Sequence, residues 1–582
     1  MSSQESDKNF YGKRMAKTTG FENDTEVSNL KFLSANIFYC YNCNIPIIQS
    51  FEENGNFCPL CASKVEYLAS DLRPVFPEER LLFELIKNRP LEFSQDSVWC
   101  ANSRYYVNGK AINLATKEFE NADIEKIVFE LKKYSEKNEN DFDFHVQKFC
   151  KANKMRLKEL TDEAFAFVQD VAKKTDEEHL VISFSGGKDS TVTADVVTRA
   201  LSNPSIVHIF GDTTLEFETT LNYVTRYRDS HPYAIFMMAK NEEQDFMEVA
   251  DDIGPPARMM RWCCSMFKTG PISRILSNLF GDDAITTFYG IRKVESVSRS
   301  KYSRVTSGGE DVKIQKQTVA SPIFYWKDID IWLYLLSNNI DFNDAYRLGY
   351  DRVGCWCCPN NNTRAQFLSK IYMKEKTDKW RNFLIDFAKR IGKQDAENYV
   401  DLGKWKARQG GNGLEAADDV KIKFTNCTTE GNAKIYQLNR PFDESLLNLF
   451  TPFGRVAPEL GQKLIHETPV FDLKNNIQII SIQPFFKDGF THAVKIKTMN
   501  VDKKTHETLQ RQIGYQIRKF NSCRQCLKCE ALCKHGAITI SAGGYYIDEK
   551  KCVHCRKCVS QKYLAGGCMM EKYLRTKLGE SK

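Results

Sequence analysis

Short apolar runs alternate with helical patterns in the middle of the chain. The runs HLVISF (179–184), SIVHIF (205–210), AIFMMA (234–239) and AITTFYG (284–290) have the length and β-branched content of buried strands, and helical segments separate them. Alternation of this kind predicts a parallel sheet covered by helices on both faces. We therefore expect an α/β core.

Two patterns lie before this core. The segment WCANSRYYVNGKAINL (99–114) alternates between apolar and polar residues and turns at Asn108-Gly109, which predicts a β-hairpin. Helical patterns follow from about Asp123 to Asp170. Together they predict a small accessory domain.

Composition and charge narrow the class of protein. The chain has 582 residues, enough for several domains, with 42% hydrophobic and 27% charged residues. Neither a long apolar run nor a secretory signal is present, so we expect a cytoplasmic protein without membrane contact. The net charge of +7 is compatible with anionic nucleotides or with nucleic acid, and requires neither.

Twenty cysteines are the most informative feature of the composition. Their short, repeated spacing is typical of metal ligands rather than disulfides. We assign Cys100, Cys150 and Cys427, which stand alone, a structural role. The others fall into four groups: Cys40, Cys43, Cys58 and Cys61; Cys263 and Cys264; Cys355, Cys357 and Cys358; and the C-terminal run Cys523, Cys526, Cys529, Cys533, Cys552, Cys555, Cys558 and Cys568.

A glycine-rich turn follows the first core strand. It consists of Ser185, Gly186, Gly187, Lys188, Asp189 and Ser190. Glycines let backbone N–H groups approach phosphate oxygens, and a helix that begins there presents its positive end. Lys188 adds a charge, and the serine hydroxyls can donate hydrogen bonds. We predict a phosphate loop at 185–190.

This hexapeptide resembles the SGGxDS signature of the PP-loop ATP pyrophosphatases, and not the Walker pattern. HIFGDTTLEFETT (208–220) and GIRKVESVSR (290–299) resemble segments of the phosphoadenosine phosphosulfate (PAPS) reductase family. The resemblance covers about residues 171–370. It implies that Asp212 and Thr213 lie at the nucleotide cleft, and that the segment with Arg292, Glu295 and Arg299 meets anionic substrate groups. The implied ligand is ATP with Mg²⁺ or a sulfonucleotide.

In the adenylylsulfate reductases of this family, a Cys-Cys pair and a distant Cys-x-x-Cys hold a 4Fe-4S cluster. The matching residues here are Cys263, Cys264, Cys355 and Cys358, while Cys357 leaves open a different second pair. The nucleophilic cysteine of the reductases' C-terminal tail is missing. The intact phosphate loop favours ATP, as in the related enzymes of DNA phosphorothioation.

The C-terminal runs CRQCLKCEALC (523–533) and CVHCRKC (552–558) resemble bacterial-type ferredoxins with two 4Fe-4S clusters. In that fold the fourth cysteine of each run serves the other cluster. The resemblance implies one set of Cys523, Cys526, Cys529 and Cys568, and another of Cys552, Cys555, Cys558 and Cys533. Lys534 replaces the usual proline, and nine residues separate Cys558 from Cys568 where three are usual.

Near the N-terminus, two Cys-x-x-Cys knuckles are separated by 14 residues. Four thiolates in this arrangement, Cys40, Cys43, Cys58 and Cys61, are typical of a structural zinc ribbon. Rubredoxin-like iron binding uses the same ligands and stays open.

The predicted organisation is a PP-loop α/β core with an N-terminal zinc ribbon and a C-terminal ferredoxin-like α+β module. The predicted segments are a disordered arm (1–35), the zinc ribbon (36–70), the accessory domain (71–170), the PP-loop domain (171–375), a helical and mixed extension (376–510) and the ferredoxin module (511–582).

Three functions fit this organisation. The first is ATP-dependent sulfur transfer that forms AMP and pyrophosphate, with electrons relayed through the clusters. The second is reduction of PAPS or adenylylsulfate to sulfite. The third is a nucleotide-gated electron carrier or a nucleic-acid-binding partner in a larger complex. The expected partners are an adenine nucleotide, an electron donor (a ferredoxin or a reductase) and a sulfur donor such as a cysteine desulfurase.

Overall fold

The computed structural model describes residues 35–52, 55–101, 104–281, 283–296, 299–306, 317–487, 490–541, 544–560 and 564–576. The chain divides into two units. The first unit holds the residues up to Phe210 together with Phe217–Met237 and Asp283–Val353. The second holds Gly211–Glu216, Met238–Asp282 and the chain from Gly354 onward. The arm expected at 1–35 lies, except for Ala35, outside the described residues.

A six-stranded sheet forms the centre of the first unit. Its strands, in spatial order, are Ile235–Lys240, Val207–Asp212, Leu180–Phe184, Ile285–Tyr289, Gln317–Ala320 and Val305–Thr306. The central strand is parallel to both neighbours, with Ile182 opposite His208 on one side and Phe288 on the other. The short Val305–Thr306 strand runs antiparallel at the edge. All four strands predicted from apolar runs are present, and the α/β prediction is confirmed.

Helices pack against this sheet through apolar positions. They are Lys154–Ala172, Lys188–Leu201, Glu218–Ser230 and Asp328–Ser337. Leu160, Val196 and Trp332 from three of these helices share one hydrophobic cluster with Ile182 of the central strand. A parallel strand buried on both faces must be apolar throughout, which explains the uninterrupted run in the sequence.

Smaller elements precede the central sheet. A three-stranded antiparallel sheet contains Asn36–Cys40, Ile45–Gln49 and Glu66–Ala69, and a four-stranded sheet contains Arg73–Pro74, Val98–Ala101, Arg104–Val107 and Lys110–Asn113. The helices are Pro77–Ile86, Thr116–Glu120, Ile124–Ser135 and Phe142–Ala152. The predicted hairpin is confirmed: Asn108 and Gly109 form its turn with φ of +47° and +78°. Two positive φ values are what this tight turn requires.

The second unit contains an antiparallel sheet that the sequence indicated only as strand-like segments. Its strands, in spatial order, are Phe424–Asn426, Ala433–Gln437, Phe490–Thr498, Gln478–Lys487, Thr468–Phe471 and Arg455–Val456. A separate hairpin pairs Ile538–Ser541 with Gly544–Ile547. The helices are Phe246–Ile253, Trp262–Cys264, Gly270–Phe280, Thr363–Tyr372, Lys374–Arg390, Ala396–Asp401, Ala416–Asp419, Glu444–Asn448, Lys503–Ser522, Lys528–Leu532 and Met569–Leu574. Within the described ranges, no helix has the length and apolar character needed to span a bilayer.

Gly109→Ala tests the turn of the first-unit hairpin. An added Cβ would lie 2.6 Å from Cδ1 of the buried Tyr39, and φ at this position is +78°. We expect a loss of roughly 2–4 kcal/mol of stability, because backbone strain and overpacking add. The melting temperature measured by calorimetry should fall accordingly.

Gly55→Ala is the matched control in the same unit. Its φ is +89°, but the added Cβ meets the flexible Lys64 side chain at 3.6 Å. This variant should lose only the backbone contribution, about 1–2 kcal/mol. Equal melting temperatures for the two variants would contradict the tight contact with Tyr39.

Candidate functional site

The phosphate loop, residues 185–190, joins the central strand Leu180–Phe184 to helix Lys188–Leu201. Gly187 is the residue directly before the helix, and Gly186 has a φ of +70°, which glycine adopts without strain. A Cβ at Gly186 would also lie 2.9 Å from Cγ2 of Thr220. The loop thus passes straight into the positive end of the helix, as the sequence predicted.

The two serines of the loop bond to the loop itself. Ser190 Oγ accepts the N–H of Ser185 at 3.1 Å and donates to the carbonyl oxygen of Gly187 at 2.8 Å. The Ser185 hydroxyl lies 3.1 Å from the same oxygen atom of Ser190. The hydroxyls therefore hold the loop in its shape.

Lys188 lies buried between two carboxylates. Its Nζ is 3.3 Å from Asp189 Oδ2 and 3.1 Å from Asp328 Oδ1. Arg292 joins the same two acids, with Nε 2.6 Å from Asp189 Oδ1 and Nη2 2.9 Å from Asp328 Oδ1. The two cationic side chains are only 3% and 5% exposed. The result is a network of two cations and two carboxylates behind the loop.

The network keeps Lys188, Arg292 and Asp328 charged. Burial alone would lower the pKa of Lys188, but Asp189 and Asp328 outweigh it and raise the pKa above its ordinary value. The same balance raises the pKa of Arg292. Burial would raise the pKa of Asp328, yet Lys188 and Arg292 hold it below the usual range. The Lys188 side chain therefore remains protonated at neutral pH.

The remaining residues of the predicted anion segment lie outside this network. Arg299 pairs with Glu295 and is about one third exposed, whereas Arg292 is buried. Gly290, at the end of the preceding strand, approaches the helix start closely: an added Cβ would lie 2.7 Å from the carbonyl carbon of Asp189. A glycine is therefore required at this strand end.

Sequence reasoning missed the downstream residues that support the loop. Asn343 donates to the carbonyl oxygen of Gly186 at 3.1 Å, and the Tyr346 hydroxyl accepts the N–H of Lys188 at 3.0 Å. Asn343 also caps the one-turn helix Asp344–Tyr346. That cap is visible in the sequence as Asn-Asp, but nothing local connects it with a loop so far upstream.

Asp212 ends the strand Val207–Asp212, and Thr213 follows it in the second unit. The Thr213 hydroxyl donates to Glu216 at 2.7 Å and lies 3.5 Å from Sγ of Cys355. An isolated β-bridge joins Glu216 to Cys355. The structure therefore brings Thr213 against one of the predicted cluster cysteines.

Cys263 and Cys264 lie on the short helix Trp262–Cys264, which continues as a π-helical turn over Ser265–Thr269. Arg261 Nη2 lies 3.4 Å from Sγ of Cys264, and its charge also acts on Cys263 and Cys358. A hydrogen bond from Cys263 lowers the pKa of Cys264 to about 5 against the opposing effect of burial. These thiols also interact electrostatically with Cys355.

Cys357 has a different environment. It is 5% exposed and belongs to a hydrophobic cluster with Trp262 and Trp380, whereas Cys355 and Cys358 are half-buried. Burial raises the pKa of the Cys357 thiol well above its ordinary value.

The C-terminal cysteines form two interleaved sets. The thiols of Cys523, Cys526, Cys529 and Cys568 interact with one another. The other four, Cys533, Cys552, Cys555 and Cys558, line a hollow together with apolar residues and the basic residues His535, Arg556 and Lys557. The structure thus brings Cys533 close to the second run and Cys568 close to the first, and the two ligand sets stay a prediction.

The two C-terminal cysteine runs share the same backbone conformation around their second cysteine. Gln525 and Leu527 flank the second cysteine of the first run, and His554 and Arg556 flank that of the second, all with φ between +44° and +58°. Backbone N–H groups of Gln525 and His554 bond to the first thiol of each run. Non-glycine residues rarely adopt such φ values, so the repeat is specific.

The N-terminal cysteines form a tight tetrad. The ligand atoms of Cys40, Cys43, Cys58 and Cys61 all lie within 4.8 Å of one another. Sγ of Cys40 is 3.6 Å from that of Cys61, and Sγ of Cys58 is 3.9 Å from that of Cys43. Four sulfur atoms placed tetrahedrally around zinc, each with a Zn–S bond of about 2.3 Å, lie about 3.8 Å from one another. The tetrad therefore fits one zinc ion.

Comparisons with known proteins find similarity to part of this chain. An uncharacterized protein of Methanocaldococcus jannaschii is 32% identical over 243 residues, which are 42% of this chain and 48% of that protein. An adenosine 5'-phosphosulfate reductase of Staphylococcus epidermidis is 26% identical over 201 residues, 33% of this chain and 78% of the reductase. The crystal structure of the PAPS reductase from Candida auris in its phosphate complex is 17% identical, with a TM-score of 0.28. The structural match covers 35% of this chain and 96% of the Candida auris chain.

The chain spans about half the length of the Methanocaldococcus jannaschii relative. Residues 179–361 match the family described as phosphoadenosine phosphosulfate reductase domain. This range contains the central strand, the phosphate loop, the supporting residues Asn343 and Tyr346, and Cys263, Cys264, Cys355 and Cys358. Residues 179–361 are thus the part of this chain that is similar to a phosphoadenosine phosphosulfate reductase domain.

Proposed function

We propose that the chain is an iron–sulfur enzyme of sulfur metabolism that cleaves ATP to AMP and pyrophosphate and transfers sulfur to the activated acceptor. Electrons would reach the reaction through its metal centres. The observation that carries the proposal is the intact phosphate loop with the buried, charged Lys188 at a helix N-terminus. A substrate without a β,γ-pyrophosphate does not need such a loop.

The loop supplies binding and charge stabilisation. Its helix N-terminus offers N–H groups to phosphate oxygens, and Lys188 and Arg292 neutralise charge that develops on the leaving pyrophosphate. Arg299, which is about one third exposed and pairs with Glu295, is proposed to meet a second anionic group. Asp212 and Thr213 are proposed to line the nucleotide cleft, as the resemblance implies.

The cysteine sets are proposed as metal ligands. Cys263, Cys264, Cys355 and Cys358 would hold one 4Fe-4S cluster, the two C-terminal sets one each, and the N-terminal tetrad zinc. Clusters at these sites would supply one-electron transfer. The burial of Cys357 among aromatic side chains supports Cys358 as the fourth ligand of the first site.

Direct contacts within the second unit support a supply of electrons to Cys263 and Cys264. The hydroxyls of Ser265 and Tyr573 are 3.3 Å apart, and Tyr573 interacts electrostatically with Cys526 as well as with Cys263 and Cys264. A Cβ at Gly270 would lie 3.0 Å from the carbonyl oxygen of Cys526. The two cysteine sets are thus packed against each other.

A second candidate is reduction of PAPS or adenylylsulfate to sulfite. The similarity to a protein named adenosine 5'-phosphosulfate reductase favours it. This candidate requires sulfite release from the sulfonucleotide with a reduced electron donor. The two candidates therefore differ in their products.

Lys188→Ala tests the ATP candidate. We expect the formation of AMP and pyrophosphate by the iron-loaded protein to fall at least about 100-fold, because a buried charge that stabilises the leaving group is removed. Chromatographic separation of labelled nucleotides measures this rate.

Lys173→Ala removes an exposed lysine of the same unit and should leave the rate unchanged. Iron content and melting temperature of both variants show whether folding is intact. If the protein released sulfite from the sulfonucleotide and formed no AMP and pyrophosphate from ATP, sulfonucleotide reduction would be its activity and ATP-dependent sulfur transfer would be excluded.

Cysteine replacements test the ligand sets. Cys568→Ser should lower the iron content by up to about 4 atoms per chain and change the electron paramagnetic resonance (EPR) spectrum of the reduced protein. Cys357→Ser should leave both unchanged, and Cys61→Ser should remove zinc without removing iron. If Cys357→Ser lost iron while Cys358→Ser kept its full iron content, Cys357 and not Cys358 would be the ligand.

A further inference from the structure

Lys519 is a cation buried in the C-terminal module without a carboxylate partner. It is 2% exposed and lies in the last turn of helix Lys503–Ser522. Its Nζ donates to Oε1 of Gln516 at 2.9 Å and to the carbonyl oxygen of Cys558 at 2.5 Å, both neutral acceptors. Across the described residues, no carboxylate oxygen lies within 4.0 Å of this nitrogen.

Two acidic residues of the module, Glu530 and Glu571, pair with other cations. Glu530 pairs with Arg274 at 2.7 Å, and Glu571 pairs with Arg575. The charge of Lys519 instead acts on thiols of both C-terminal sets, those of Cys523, Cys558 and Cys568, and its Nζ contacts the backbone of Cys558 directly. Its Nζ is also 5.6 Å from the centre of the Tyr545 ring.

These neutral partners do not balance a buried ammonium group. The helix C-terminus contributes roughly half an elementary charge, and the aromatic ring contributes less. A cation removed from water is stable only with a full counter-charge close by. In this module the groups that can carry that charge are the cysteine sets, once their thiolates ligate metal.

We propose that Lys519 is the internal counter-cation of the metal centres held by the two C-terminal cysteine sets, and that it raises the reduction potential of both. The inference rests on the cluster sites of the proposed function. A thiolate-ligated cluster is anionic, and reduction adds one more negative charge. A nearby buried cation therefore stabilises the reduced form more than the oxidised form.

Lys519→Met tests this in the iron-loaded full chain. In a potentiometric titration followed by EPR, the midpoint potentials of both C-terminal centres should shift to more negative values, while Lys519→Arg stays close to the wild type. Lys551→Met removes an exposed lysine next to Cys552. Its smaller shift should vanish at high salt, whereas the Lys519→Met shift persists because buried charges are poorly screened.

Unchanged potentials in Lys519→Met at wild-type iron content would overturn the inference. Denaturant unfolding gives a second criterion that applies even if the variant binds iron poorly. Lys519→Met should make the iron-free protein harder to unfold and the iron-loaded protein easier to unfold, since the cation is compensated only in the loaded state. Equal destabilisation of both states would mark a structural role alone and refute the proposal.

The two proposals fail separately. A wild-type protein that holds no iron at the C-terminal cysteines contradicts the proposed function. A wild-type protein that holds iron there, with potentials independent of residue 519, contradicts only the role of Lys519.

Discussion

Buried thiols are the constraint on which the second unit depends. Cys568 belongs to one hydrophobic cluster with Trp262 and Tyr573, and Cys529 belongs to another with Ile538. A thiol is smaller than the aliphatic side chains usual at such positions and contributes less packing. The hairpin Ile538–Ser541 with Gly544–Ile547 has two strands, which is too few for independent stability. In the proposed metal-loaded protein, bonds from thiolate to metal would supply additional cohesion and would link the stability of this unit to metal loading.

In the first unit, the phosphate loop with its charged side chains depends on support from neighbouring segments. The accessory segment contributes Asp71, whose carboxylate accepts the N–H groups of Asp328 and Ile329 at 2.9 and 3.1 Å. Burial, and then the charge of Asp328, raise the pKa of Asp71 to about 6. Asp71 fixes the start of the helix that carries Asp328, and Asp328 in turn holds Lys188. The accessory segment is therefore part of the support of the loop.

Local sequence patterns predicted those strands and turns whose conformation is determined by neighbouring residues in the sequence. The apolar run before Ser185 and the Asn108-Gly109 turn each encode their structure within a few residues, and the structure confirms both. Cysteine spacing indicated the separate cysteine groups, whereas the predicted set of Cys263, Cys264, Cys355 and Cys358, with about 90 residues between its pairs, needed the family resemblance. Asp328, Tyr346 and Lys519 could not be found in this way. Their roles arise from contacts with residues that are 39 to 158 positions away in the sequence. A single sequence contains no pattern that indicates contacts over such distances.

The charge network behind the loop bears on the choice of nucleotide. Lys188 and Arg292 are already balanced by Asp189 and Asp328, so an incoming pyrophosphate must compete with two carboxylates. A ligand that arrives as a Mg²⁺ complex brings a cation able to take over those carboxylates while its phosphates take over Lys188 and Arg292. A sulfonucleotide without a metal ion would displace the carboxylates and leave them buried and uncompensated, which is costly. The geometry of the network therefore favours ATP with Mg²⁺ over a metal-free sulfonucleotide.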